Sequence, residues 1–195
     1  MAGHGHSAES VLIVKEGPSV QASTGWLQVW TDAGSGKEQN YTVWLPTCED
    51  PDYCALGVVC VFGTDEAAIE PEQPAAMVHR SFCVAAELQD GVWTDAGTGA
   101  SADLSLQSTG SGNLMWPGVA SAMEEIPEPM KLAIEAAAPI EPVTKLVMVA
   151  IAGTDAGSGA EADFVYHAPA ELPDGWLMAG HGHSAESVLI VKEGP

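Results

Sequence analysis

Three short segments carry the residue types best suited to holding a ligand. Thr31-Asp32-Ala33-Gly34-Ser35-Gly36 recurs as Thr94-Asp95-Ala96-Gly97-Thr98-Gly99 and again as Thr154-Asp155-Ala156-Gly157-Ser158-Gly159. Four residues after the last glycine stands Asn40, Asp103 or Asp163. Glycine accepts positive φ, and an aspartate side chain accepts a bond from turn amides two residues on, so each segment reads first as a turn. The same turn suits two kinds of ligand. Backbone amides beside a carboxylate can hold sugar hydroxyls. Clustered oxygens can hold calcium: Asp32 with Glu38 and Asn40, Asp95 with Asp103, Asp155 with Glu161 and Asp163. Calcium loops usually offer more ligands at tighter spacing, so calcium ranks third and no cofactor is expected.

Two further sets of residues invite chemistry. His4 and His6 lie in a Gly-His-Gly-His run that recurs at His181 and His183. With Met1 removed, the free amine and His4 offer a square-planar copper or nickel site. The second copy has no such amine, so a Gly/His loop is the plainer reading and these histidines are weak metal candidates. Cys48, Cys54, Cys60 and Cys83 fall in one 36-residue stretch. They lack the paired spacing of a zinc site. Four cysteines permit two disulfides in three pairings, with buried thiols as the alternative. In an oxidising compartment at least one bridge is expected within residues 48–83. No nucleophile elbow, zinc-protease helix or phosphate loop is present, so a non-enzymatic protein is expected. Asn40-Tyr41-Thr42 is a glycosylation sequon, meaningful only on an exported chain.

The elements that position these residues are strands. After each turn the sequence alternates: Tyr41 and Val43, Leu104 and Leu106, Phe164 and Tyr166 are set toward a core, with Thr42, Ser105 and Val165 facing away. Pro51-Asp52-Tyr53-Cys54-Ala55-Leu56-Gly57 is matched by 173–180 and, more weakly, by 112–118. Val11-Leu12-Ile13-Val14 and its twin at 188–191 read as buried strands. The stretches Pro71 to Pro74 and Pro127 to Pro142 read as connections; within the latter, Lys131 to Ala138 is open between a helical turn and a strand. The three aspartates are 63 and 60 residues apart. The pattern divides one domain into lobes near 19–89, 90–143 and 144–195. Three sheets, each with one apolar face, bury those faces only against one another. An all-β, three-lobed β-prism-like architecture follows, with a β-sandwich or barrel as the alternative.

Trp30-Thr31-Asp32-x-Gly34-Ser35-Gly36, a strand ending in Trp44, and Pro51-Asp52-Tyr53-x-x-Leu56-Gly57 resemble the repeated motif of a plant and fungal family related to a vacuolar protein-sorting factor. The module is also similar to the β-prism appendage of some pore-forming proteins. The resemblance covers most of the first lobe and short parts of the others. The third lobe departs from it, with Gly153 where Trp30 and Trp93 stand. It implies the β-prism fold rather than a biochemical role. The wider likeness to β-prism lectins is architectural.

Residues 1–18 are identical to residues 178–195, an offset of 177. This tandem repeat implies a unit of an array, and one copy of the segment is surplus to a closed unit. One copy is expected to complete its own chain and the other to add to a neighbour; the alternative puts both copies at two sites of one chain. The chain carries 27 acidic against 6 basic residues, a net charge of −21, which argues against nucleic acid and anionic membranes as partners. No apolar run is long enough for a membrane span, and the first residues lack the pattern of a signal peptide. The leading expectation is a structural or adhesive repeat, extracellular or on a cell surface, that assembles head to tail into a filament. A lectin-like carbohydrate-binding module is the alternative, and an accessory domain of a pore-forming protein the third reading.

Overall fold

The structure, a computed structural model, describes residues 11–14, 19–32, 35–36, 40–63, 70–89, 91–110, 114–133, 140–143, 149–154, 165–169, 176–182 and 190–192. The chain is all-β. Among the described residues the strands are β1 (Val11–Val14), β2 (Val20–Ala22), β3 (Gly25–Thr31), β4 (Asn40–Thr47), β5 (Tyr53–Cys54), β6 (Val59–Gly63) and β7 (Ala76–His79). One turn of 3-10 helix, Arg80–Phe82, leads to β8 (Cys83–Ala85), β9 (Gly91–Thr94), β10 (Leu104–Ser108), β11 (Met115–Ala120) and β12 (Met130–Leu132). Then come β13 (Ile140–Val143), β14 (Val149–Thr154), β15 (Val165–Pro169), β16 (Trp176–Met178) and β17 (Ile190–Lys192). The sheets are small: β3-β4-β6, β2-β7-β5, β11-β10-β9, β12-β8, β14-β15, β16-β17 and β1-β13. No helix among the described residues is long and apolar enough to cross a membrane, which leaves strand-spanning proteins unaddressed.

The hairpins that flank the three turn motifs share one register. Trp30 faces Val43, Trp93 faces Leu106 and Gly153 faces Tyr166. Each hairpin then skips one residue, so that Gln28, Gly91 and Ile151 are the next partners. The extra residue is a β-bulge, which raises the local twist and ends regular pairing near the turn. The sequence period of 63 and 60 residues is thus repeated in the position of a backbone irregularity, not only in side-chain type.

Two of these hairpins build the main core. Tyr41, Val43, Leu104 and Leu106 are buried as the alternation requires. Thr42 differs from its expected outward position, since it is 2% exposed. β4 is the central strand of its sheet and is covered on both faces. The hydroxyl is satisfied there: Thr42 Oγ1 donates to Val61 O at 3.2 Å and accepts from Trp44 Nε1 at 3.0 Å. Trp30, Tyr41 and Trp93 meet edge to face with centroids 5.4–6.1 Å apart. Such pairs add about 1 kcal/mol each beyond buried area. Trp30 Nε1 donates to Ala102 O at 2.6 Å, tying β3 to the loop before β10.

A second set of contacts joins three distant segments. Val58 N donates to Met115 O at 3.1 Å, His181 N donates to Val58 O at 2.9 Å, and Leu114 bridges Gly182. Gly57 and Gly180 make this approach possible. A Cβ on Gly180 would stand 3.0 Å from the backbone of Gly57 and from Val58 O. A Cβ on Gly57 would stand 3.2 Å from Leu114. The counterpart of Gly57 and Gly180 in the middle segment is therefore Leu114, not Gly118 as the sequence match of 112–118 implies. Leu114 fills the space beside Gly57, and the backbone of Gly57 and Val58 fills that beside Gly180.

Both copies of the 18-residue segment supply strands within their own chain: β1 pairs with β13 and β17 pairs with β16. The second strand begins at Ile190, and Val188 and Leu189 lie outside the described residues. The stretch left open between helix and strand contributes β12 at its start.

His181 sits in the three-segment junction with its ring buried, and its Nδ1 accepts from Cys60 N at 3.0 Å. Burial lowers its pKa to about 4. The unfolded chain binds this proton near 6.5, so it takes up the proton before the native state does. The stability that His181 contributes is then present above pH 6.5 and lost as pH falls toward 4, up to about 3 kcal/mol. Urea midpoints measured between pH 7 and pH 4 will fall steeply in wild type and less so in His181→Gln. An equal fall in the variant would remove His181 from the cause.

Candidate binding cleft

The turn motifs are built inward. Asp32 Oδ1 accepts from Tyr41 N at 2.5 Å, and Asp95 Oδ1 accepts from Leu104 N at 2.9 Å. The backbone repeats the match: Asp32 N donates to Tyr41 O and Asp95 N to Leu104 O, while Ser35 N donates to Asp32 O and Thr98 N to Asp95 O. Gly36 and Gly99 take the same positive φ, 79° and 82°, and Gly97 has φ of 89°. A side chain would be strained at these positions. The carboxylate closes the open mouth of the hairpin by capping an amide at the start of the returning strand, that of Tyr41 or Leu104.

In the first turn this geometry serves the fold. Asp32 is 0% exposed, so its carboxylate faces the core and meets no ligand from solvent. Asn40 is buried at the start of β4, whereas Asp103 is exposed and its amide is held by Ser121 Oγ at 2.7 Å. Gly34, Asp155, Gly157, Gly159 and Asp163 lie outside the described residues, as do Glu38, Glu161, His4, His6 and His183. Burial raises the pKa of Asp32, although the Tyr41 amide and its own backbone amide pull the other way. Its Oδ2 is buried and has no hydrogen-bond partner. His181, a weak metal candidate, is a core residue whose Nδ1 is occupied by Cys60 N. Among the described residues no three His, Cys, Asp or Glu side chains gather as a metal site.

The cysteines are free thiols. Cys60 is enclosed, and burial pushes its pKa up to about 12 despite contact with the Tyr41 hydroxyl. Cys48 Sγ donates to Asp50 O at 3.3 Å. Cys54 Sγ and Cys83 Sγ hang on adjacent carbonyls of β7, Val78 O at 3.5 Å and His79 O at 3.7 Å. The neighbouring Cys83 thiol lowers the Cys54 pKa, with Arg80 adding to the effect, while Cys54 and burial raise that of Cys83. Cys54 and Cys83 are the two thiols that act on each other.

A cleft opens beside this pair. It encloses about 280 Å³ and is lined by Leu27, Leu45, Pro46, Met77, Trp116 and Pro127 on its apolar side. Thr47, Cys48, Asp50, Tyr53, Arg80 and Glu128 supply polar atoms. Its walls come from β3, β4, β5, β7 and β11 and from the loops at 48–51 and 127–128. Each wall is fixed. Asp50 Oδ1 accepts from Asp52 N at 2.9 Å, an Asx turn that folds the 48–53 loop. Arg80 clamps that loop, its N donating to Asp52 O at 2.7 Å and its Nε to Pro51 O at 2.9 Å. His79 caps the 3-10 turn, accepting from Ser81 N, and its ring meets Tyr53 edge to face at 5.2 Å. Trp116 Nε1 donates to Pro127 O at 3.1 Å and holds the far wall.

Of these cleft residues, Tyr53 and Trp116 lie in the matched segments 51–57 and 112–118 and Cys48 and Cys54 among the four cysteines, but none was marked as part of a cleft. One signal was in the sequence: Arg80 is the only arginine in a chain with 27 acidic residues. A lone guanidinium in such a chain points to a specific place for it.

The chain matches no protein-family model and no curated protein. It is similar to one solved structure, the crystal structure of GNIP1Aa from Chromobacterium piscinae, at 37% identity. The alignment covers 53% of this chain and 19% of that chain, with a TM-score of 0.42. The chain thus spans a small part of that protein's length.

Two outcomes follow from these contacts. Asp32→Ala and Asp95→Ala each lose a capping acceptor and are expected to cost on the order of 1 kcal/mol in chemical denaturation. Asp32→Asn keeps the acceptor. Because the native carboxyl has a raised pKa, its stability contribution falls as pH rises through that value. At pH 7 the Asn variant should therefore match or exceed wild type, and a loss equal to that of Asp32→Ala would contradict the capping role. Under mild oxidation, mass mapping is expected to find the Cys54–Cys83 bridge with Cys60 still free; a Cys48–Cys60 bridge would contradict the pairing.

Proposed function

We propose that this protein is a non-catalytic β-prism-type module that binds a carbohydrate terminus in the cleft between β3, β4, β5 and β11. One observation carries the reading: an apolar floor is ringed by a guanidinium, two carboxylates and a phenol, all on braced backbone. Ligand sites are commonly apolar clefts with a few placed polar groups. A sugar ring offers an apolar face for Leu27 and Pro46 and hydroxyls for Asp50, Arg80 and Glu128. The cleft volume suits a terminal residue rather than a long chain. The turns take the role of scaffold, since their carboxylates are spent on backbone amides.

A second reading, head-to-tail assembly as an adhesive or structural array, is favoured by the exact duplication of 18 residues at an offset of 177. The two readings are compatible, because an array of weak sugar sites gains avidity from repetition.

A glycan array with purified protein tests the first reading, followed by titration calorimetry with the best glycan. Arg80→Ala and Glu128→Gln are expected to weaken binding tenfold or more, while Asp95→Ala leaves it unchanged. Arg80 also clamps a loop, so Glu128→Gln is the cleaner arm. Failure of every glycan to bind, or binding indifferent to both cleft variants, would overturn the proposal.

A further inference from the structure

The duplicated segment has a structural meaning beyond sequence identity. In the first part of the chain, β7 lies between two strands and pairs with both. Val78 faces Val20 of β2 on one side and Cys54 of β5 on the other. The last part of the chain contains counterparts of both neighbours. Leu177 of β16 stands four residues before His181, as Cys54 stands four before Val58, and the two later residues meet in the same junction. Ile140 opens β13, ahead of the hairpin β14–β15, as Val20 opens β2, ahead of the hairpin β3–β4.

A single strand between β13 and β16 would therefore pair as β7 does. Two strands are present instead. Val14 of β1 faces Ile140, and Val191 of β17 faces Leu177. Val14 and Val191 are the same residue of the duplicated segment, as are Ile13 and Ile190. The two copies thus divide, in one common register, the two pairings that Val78 makes alone. β1 lies against β17, yet each belongs to a two-stranded sheet of its own. Among the described residues no ladder joins β1 to β17, whereas a single doubly paired strand would bond along both of its edges.

We propose that the position between β13 and β16 is a strand-exchange site for one strand of sequence Val-Leu-Ile-Val, and that the two copies are its alternative occupants. The displaced copy is then free to fill the same position in a second copy of this chain. The ligand of this site is an extended strand held by main-chain bonds on both edges, which is strand addition with the protein's own sequence as the partner. Exchange conserves the number of paired strands, so it is set by concentration rather than by new contacts.

Proline in the middle of a doubly paired strand removes a ladder bond, so Val14→Pro and Val191→Pro disable one copy each. Each single variant is expected to keep a urea midpoint close to wild type, because the intact copy takes the position. The double variant is expected to fall well below both. A fluorescent peptide of residues 186–194 should bind the double variant, measured by anisotropy, and restore its midpoint, whereas the same peptide with proline for Val191 should do neither. If one single variant is as unstable as the double, the strands hold separate, non-equivalent places and the proposal fails. If the double variant does not fold, chains lacking residues 1–18 or residues 186–195 replace it: both folded and both peptide-refractory supports a single position, and either one unfolded overturns it.

Discussion

The backbone approach at Gly57, Leu114 and Gly180 is the constraint on which the rest depends. Three segments, each more than fifty residues from the next, come close enough for Val58 to bond on one side to Met115 and on the other to His181. Contact at this distance excludes a side chain from two of the three positions. Long-range pairing of this kind closes large loops before it repays them, so its register must be specified locally. Here the local devices are the three bulged hairpins and the aspartate caps. They orient each strand before the distant segments meet.

Three polar side chains inside this core have assigned partners. Asp32 caps an amide, Thr42 links Trp44 to Val61, and His181 closes on Cys60. A buried donor or acceptor left unmade costs more than a made one gains, so each of these residues selects one arrangement. The cleft inherits its shape from the same source. Its floor includes the core residues Leu45, Met77 and Trp116, and its rim is a loop fixed by Asp50 and Arg80. Binding residues on a braced loop lose little freedom when a ligand arrives, which favours affinity from few contacts.

Much of the architecture was legible in the sequence. The recurrence of Trp-Thr-Asp before glycines gave the hairpins, and alternation gave the buried faces of Tyr41, Val43, Leu104 and Leu106. The outward assignment of Thr42 failed because period-two patterning assumes a one-sided sheet, and β4 is covered on both faces. The match at 112–118 slipped because a leucine, not a glycine, occupies the middle place in the junction, and space filling is shared between segments. The candidate site was the least legible part. Carboxylate and glycine spacing suggested ligands at the turns, but spacing does not say which way a carboxylate points. The cleft draws on residues from 27 to 128 that share no single motif, so spacing along the chain does not bring them together.

Native-state hydrogen exchange, followed amide by amide, tests most directly whether the three segments form one cooperative unit around their junction. The amides of Val58, Cys60 and His181 are expected to exchange slowest, with equal opening free energies that match global unfolding. Fast exchange at His181 beside slow exchange at Val58 would contradict a shared junction and leave three separately stable parts.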